Sequence, residues 1–483
     1  MADKEQTLFD PFQHRGYWWF PDAPDKKVPG VVSFSPDEIS LELFGSLSQR
    51  TVQQLGIVTK PLQVSIILGE LDDSRGCILH RAMNTGSQFV LRRAQINESY
   101  SAKFLFIGAH ATQDSELDFA AVDLSYTHLV DWLADLPFGP PTFKKRKGGK
   151  TFRIDYSYRF PKRFNIYLSG LRARLTSDFI LASGGPGFHS RTQEHVAYIR
   201  FQPRNLQLFD WYWERLVDCQ YLLTLLIGEP VYPERVLLYC NKESLSQRRS
   251  VSLYYTHSYC KPDKAVHPRD MLLPFPTLRH QWPAVASAWF SKKEALRNAY
   301  GLFLGPSFAE NMYIEFQFLS LIQALEIYSR VIHVGKYMTD QEYEPIKQKL
   351  VDSLPQNVDK DWKQSFIAGK IDYGNEFSLN KRLKQILADL EPDTVKLVCN
   401  KPAAFSKKVA DTRNYYTHYS DKLKEAAASG PHLYWLSQRL RILLMIVLLK
   451  ELGIHEPLIR TQIANHPKLM QILHLYLRPD TSV

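Results

Sequence analysis

The hydrophobic period of this chain changes once, across a Pro-rich stretch at residues 262–276, and the change divides what the chain can fold into. Upstream, apolar and polar residues alternate. Ile39, Leu41 and Leu43 share one side of their segment, the pattern of a half-buried strand. Residues 16–21, 30–35, 101–110, 117–124, 152–158, 164–168, 194–201, 236–239 and 251–255 read the same way. Residues 77–81 and 88–92 flank Asn84-Thr-Gly86, which predicts a hairpin turn there. Helices are expected at 126–136 and 209–226. Downstream the apolar spacing becomes helical, as at Trp289, Leu296, Tyr300 and Phe303. Helices are expected at 283–304, 308–334, 339–354, 379–390, 402–428, 431–453 and 456–477. The expected fold class is α+β and multidomain. A β-rich module over residues 1–275, with a candidate subdomain split in the Pro-, Gly- and Lys-rich stretch 138–150, precedes an all-α bundle over 285–483.

Apolar residues make up 45% of the 483-residue chain and charged ones 23%, so it can bury large cores and disorder is excluded as the default. The net charge of +10 is compatible with a nucleic-acid partner without specifying one. The five cysteines form no Cys-x-x-Cys pair, which argues against an ordinary zinc site and suits buried thiols in a reducing compartment. The first twelve residues are polar and carry no secretory signal. The longest apolar run, residues 442–449, is too short to span a bilayer and reads as a core helix. A cytoplasmic protein with no membrane partner is expected. Gly149-Lys150-Thr151 lacks the earlier glycine of a phosphate loop, since position 144 is Lys144. Lys144–Lys147 reads as a solvated loop, and Trp18, Trp19 and Phe20 as sheet core rather than a base-stacking surface.

The candidate chemistry lies in residues 402–428. Phe405, Val409, Thr412, Tyr416, Tyr419 and Leu423 recur at 4-3-4-3-4 spacing and form one seam. At about 100° per residue, Arg413, Asn414, Thr417, His418 and Asp421 fall largely away from it. Arginine offers a permanently charged fork for a phosphodiester. Histidine is the side chain suited to moving a proton near neutral pH. With the RNA 2′-OH as nucleophile, the set needs no metal and no cofactor. Arg-x4-His is short, however, and roughly one match is expected by chance in a chain of this length. Arg75-Gly-Cys-Ile-Leu-His80 is a second match, but strand alternation puts its two ends on opposite faces.

Arg413-Asn-Tyr-Tyr-Thr-His418, with Val409-Ala-Asp-Thr412 before it, resembles the R-N-x-x-x-H helix of HEPN ribonuclease domains. Phe316-Gln-Phe-Leu-Ser-Leu-Ile-Gln-Ala-Leu-Glu326 resembles the first long helix of such domains. Gly16-Tyr-Trp-Trp-Phe-Pro-Asp22, Val28-Pro-Gly30 and Leu222-Leu-Thr-Leu-Leu-Ile-Gly-Glu-Pro-Val231 resemble the N-terminal domain of ApeA-like anti-phage proteins. The resemblance touches nearly the whole chain in the same order. It implies a metal-independent endoribonuclease of abortive infection, dormant until a phage-derived trigger arrives. It implies a homodimer or higher homo-oligomer with Arg/His pairs facing across the interface. Glu326 matches the family's acidic position, where it either orients Arg413 or caps a polar cluster.

The expected roles are His418 as general acid and base, Arg413 as stabiliser of the pentavalent phosphate, and Asn414 as a binding or orienting group. The expected substrate is RNA, with tRNA among the candidates. Two other readings stay open. The chain is a non-catalytic sensor that binds RNA or a phage protein through a HEPN scaffold, or its Tyr415, Tyr416 and Tyr419 are targets for nucleotide addition.

Overall fold

The structure is a computed structural model that describes residues 6–48, 63–90, 95–109, 111, 113, 116–133, 138–184, 192–247, 249–309 and 311–476. The chain divides into two compact units, Met1–Pro283 and Ala284–Val483.

The strands of the first unit are β1 (Phe12–Trp19), β2 (Val28–Phe34), β3 (Ile39–Leu43), β4 (Gln63–Leu71), β5 (Gly76–Val90), β6 (Gln95–Ile107), β7 (Asp118–Phe119) and β8 (Ala121–Tyr126). They continue with β9 (Thr142–Lys145), β10 (Thr151–Asp155), β11 (Asn165–Leu168), β12 (Ala173–Gly184), β13 (Thr192–Pro203), β14 (Gln207–Leu208), β15 (Pro233–Tyr239) and β16 (Val251–Tyr255). Its helices are α1 (Leu129–Leu133), α2 (Phe209–Ile227), α3 (Lys242–Ser246) and α4 (Phe275–Leu278). Six strands close into a barrel in the order β1-β2-β3-β6-β5-β4. The closing strand β6 is shared. Ser99–Ser101 pair with β3, and Phe104–Ile107 pair with β16 along the same edge. From there the sheet runs on through β15, β8, β13, β12 and β11, so strands on both sides of residues 138–150 belong to it.

Alternation explains the barrel wall. Trp18 points inward and is fully buried, while Tyr17 faces out. The backbone of Gly69 passes so close to Trp18 that a Cβ there would lie 2.4 Å from the indole ring. Gly69→Ala is therefore expected to overpack the barrel and destabilise this unit by roughly 1–3 kcal/mol, read by thermal unfolding. Trp19 is half-buried under the Lys27 ammonium, 4.5 Å from its ring. Phe209, at the start of α2, packs against Phe104 and Phe106 with ring centroids 4.9 and 5.0 Å away. α2 ends at Gly228, whose φ of 85° closes the helix in the left-handed region.

The predicted turn at Asn84-Thr-Gly86 is not one. β5 runs straight through it, with the register shifting between Asn84 and Gly86. A bulge absorbs the turn-forming residues and leaves the strand intact. β5 ends at Val90 and its antiparallel partner β6 begins at Gln95, while the expected strand residues 91 and 92 lie outside the described residues. β4 and β12 had no sequence expectation, and β9 occupies what was read as loop.

The neighbouring strands β12, β13, β8 and β15 carry an ion network around the buried Asp123. Arg200 stands directly across from Asp123 in the β13–β8 register. It donates to both Asp123 carboxylate oxygens at 2.6 and 2.5 Å and reaches Asp178 at 3.0 Å. The Tyr239 hydroxyl donates to Asp123 at 2.9 Å.

The second unit is helical: α5 (Trp282–Phe308), which starts at the division, α6 (Ile314–Ile332), α7 (Asp340–Asp352), α8 (Lys360–Phe366), α9 (Leu379–Ala388), α10 (Pro392–Val398), α11 (Pro402–His418), α12 (Gly430–Glu451), α13 (Glu456–Asn465) and α14 (Pro467–Tyr476). α7 opens on a capping box between Thr339 and Glu342. α6 packs against α9, α11 and α12. α12 is long and apolar enough to cross a membrane, yet 72% of its most apolar stretch is buried inside the unit. It is a core helix, as the short apolar run at 442–449 suggests. The helix expected over 456–477 is broken at His466, because Pro467 disfavours helical backbone in the residue before it. α8 and α10 lack a sequence expectation. Cys240 and Cys260 are exposed, whereas Cys77, Cys219 and Cys399 are buried.

Candidate active site

α11 begins with Pro402 in its first turn, where the missing N–H costs nothing. Phe405, Val409 and Thr412 are buried, so the expected seam does face the unit's interior. The helix is shorter than its periodicity suggests. It ends at His418, with Tyr419 left-handed at φ 47°. Residues 419–429 then fold back along the helix instead of extending it. The reason lies in two seam residues that are not purely apolar. The buried Thr412 hydroxyl accepts the Ala428 N–H at 3.0 Å, and the Tyr416 hydroxyl donates to the Ala428 carbonyl at 3.2 Å. Gly430-Pro431 then starts α12, one residue before the expected helix at 431. Asp421 accordingly leaves the helix face on which it was placed and opens a short 3-10 turn. Thr412→Val keeps the shape but strands the Ala428 N–H. It is expected to cost about 1–3 kcal/mol in chemical denaturation.

The fold brings three of the four candidate residues together. Arg413, half-buried on α11, reaches Glu326 on α6 at 3.5 Å between Nη2 and Oε2. Its Nη1 donates to Asn414 Oδ1 at 3.2 Å. The Thr417 hydroxyl donates to the Arg413 carbonyl at 2.8 Å. His418 is exposed at the last turn of the helix. It stands roughly 7.5 Å along the axis from Arg413 and ~140° around it. One copy of the chain therefore presents an oriented guanidinium and a solvent-facing imidazole on the same helix but turned well apart around its axis.

Glu326 belongs to a wider charged cluster that short motifs do not reveal. One turn along α6, Arg330 pairs with Glu376 at 2.6 Å. The buried Arg382 of α9 reaches the same carboxylate at 3.2 Å. Burial pushes the Arg382 guanidinium below its ordinary range and the nearby Arg330 adds to this, while Glu376 and Glu326 oppose it. Glu326 thus pairs with Arg413 and also acts electrostatically on Arg382. The only sequence signal was the Glu326/Arg330 pair at i, i+4.

A cavity of about 230 Å³ lies between α11, the returning loop and α12, lined by Lys408, His432, Trp435 and Arg439 among others. None of Arg413, Asn414 or His418 lines it. An RNA strand needs an open surface, so the motif rather than this cavity is the better candidate. The competing Arg75/His80 match is dismantled by the fold. Arg75 is held by Asp73 at 2.7 Å, whereas His80 is buried beside Phe104 and Phe106. Among the described residues, no group of three or more His, Cys, Asp or Glu side chains is placed to hold a metal ion.

Residues 13–289 match the model of ApeA N-terminal domain 1, and residues 319–458 match that of the ApeA-like HEPN domain. The chain belongs to the ApeA family. This places the helical unit among HEPN domains of the nuclease type, in a family associated with anti-phage defence. The ApeA-like HEPN match runs from within α6 through α12 and includes Glu326, Arg413, Asn414 and His418. Neither a curated protein nor a solved structure matches the chain.

Proposed function

We propose that the protein is a metal-independent RNA endonuclease of abortive anti-phage defence, dormant until a phage-derived trigger engages it. The observation that carries this reading is the pairing of Arg413 with Glu326, on the helix that also ends in the exposed His418, within an ApeA-like HEPN domain. In the proposed reaction the RNA 2′-oxygen forms a bond to the adjacent phosphorus as the bond from phosphorus to the 5′-oxygen breaks. Arg413 neutralises the phosphate as charge builds on its oxygens. His418 carries protons, taking one from the 2′-OH or giving one to the departing 5′-oxygen. Two copies would divide these tasks, each imidazole serving one end of the displacement. This supports a homodimer or higher homo-oligomer as the working state, with the first unit gating its geometry. The products are a 2′,3′-cyclic phosphate and a 5′-OH.

The test is RNA end-mapping in phage-infected bacteria that express the wild type or His418→Ala. New cyclic-phosphate ends, with tRNA among the candidate sites, are expected in wild-type cells alone. The second reading, a sensor that binds RNA or a phage protein without cutting, predicts identical RNA ends in both strains. Its support is the openness of the site, since an exposed His418 serves binding as readily as proton transfer.

A further inference from the structure

One exposed arm of the first unit carries a net positive charge nearly as large as that of the whole chain. Residues 138–163 contain nine Lys or Arg and one acidic residue, Asp155, a net charge of +8 against +10 for the whole chain. The stretch is an ordered hairpin. β9 pairs with β10, and Gly148 and Gly149 make the turn at φ 103° and 83°, values that disfavour side chains. Its root is tied down by the Phe138–Tyr158 bridge and by Tyr158, whose hydroxyl lies 2.9 Å from His195 Nδ1 on β13.

A run of lysines alone would be an ordinary solvated loop. Two further observations go beyond that. Aromatic side chains interleave with the charges and face solvent: Phe143 is 55% exposed, Tyr156 74% and Phe160 62%. In addition, Lys144 and Arg153 stand directly across from each other in the hairpin register. Like charges in that position repel. Asp155 relieves this in part, accepting from Arg153 at 2.5 Å and lying 3.6 Å from Lys144. A phosphate between the two cations would relieve the remainder.

We propose that the β9–β10 arm is an RNA-binding element that grips a single-stranded or looped segment, its cations on the phosphates and Phe143 and Tyr156 stacked on unpaired bases. Unpaired bases are the fitting partner, because a base inside a duplex has no free face to stack. The proposal deepens the nuclease reading and rests on RNA being the substrate. It gives the first unit a direct part in substrate capture.

The test uses full-length protein carrying His418→Ala, so that cleavage does not interfere. Binding of a fluorescein-labelled single-stranded RNA of mixed sequence is followed by anisotropy over a range of salt, with a duplex of equal length alongside. Lys144→Glu/Lys147→Glu/Arg153→Glu is expected to weaken single-strand binding at least ~30-fold and to flatten the log–log salt slope by about 2. Phe143→Ala/Tyr156→Ala is expected to weaken it about tenfold or more with the slope kept. The wild-type arm is expected to favour the single strand over the duplex. All these side chains are exposed, so melting curves should match the parent and exclude misfolding. Single-strand binding within twofold of the parent for both variants overturns the proposal, including the case in which the arm serves an acidic protein instead. The two claims separate cleanly. Arm-dependent binding without new RNA ends from the wild type in phage-infected cells removes the nuclease and keeps the arm, whereas cleavage there with arm-independent binding does the reverse.

Discussion

Arg413→Ala is expected to slow RNA cleavage by ~10²–10³-fold, and His418→Ala by ~10²–10⁴-fold, with little change in the protein's melting temperature. The magnitudes follow from the roles. Arg413 supplies charge where the phosphorane develops it, and His418 supplies the proton path. Neither side chain is deep in the core. Arg413 is half-buried against Glu326, and His418 is exposed on the last turn of α11. The double variant should be little slower than the worse single one, because groups that act in one transition state are not additive. The check is single-turnover cleavage of a mapped substrate, with circular dichroism melting of each variant. A proportional loss of stability in either variant would move the effect from chemistry to folding.

Arg200→Met is expected to destabilise the first unit by roughly 3–5 kcal/mol, because it leaves the buried Asp123 carboxylate without its counter-charge. The loss should depend on pH. Burial is the main influence on Asp123 and pushes its carboxyl upward, while Arg200 and then Tyr239 pull it back. The net direction is already upward with Arg200 in place, and its removal lets burial push the carboxyl higher still. A carboxyl whose folded pKa lies above its unfolded value binds a proton more readily in the folded state. Its penalty is therefore absent at low pH and grows as pH rises through that folded pKa. The gap between wild type and Arg200→Met in urea melts should narrow on going from neutral to mildly acidic pH. In an Asp123→Asn/Arg200→Met double variant that pH dependence should largely disappear.

The features legible beforehand were those with local causes. α2 and α9 were visible through 3.6-residue periodicity, and α7 also shows its capping box. β3 was visible through strict alternation of Ile39, Leu41 and Leu43. What escaped depends on contacts distant in sequence. Asn84-Thr-Gly86 has turn chemistry, but long pairing with β6 outweighs it and turns it into a bulge. Residues 419–423 continue the heptad of α11, yet Thr412 and Tyr416 recruit Ala428 and reverse the chain at Tyr419. The site divides the same way. Arg413 and His418 were legible because they share one helix and one motif. Arg382 and Glu376 around Glu326 were not, because only the packing of α9 against α6 brings them there. Lys144–Lys147 reads as a solvated loop in the sequence, because the arm's exposed aromatics and its cross-strand register appear only once it is folded.

The most direct measurement is the chemistry of the RNA ends cut, in excess chelator, by wild-type protein isolated from phage-infected cells and so already triggered. The account predicts cleavage that survives chelation, leaves 2′,3′-cyclic phosphate and 5′-OH ends, and vanishes with His418→Ala. Ends bearing 5′-phosphate and 3′-OH, or cleavage abolished by the chelator, would contradict a reaction run by the RNA's own 2′-OH and the Arg413/His418 pair.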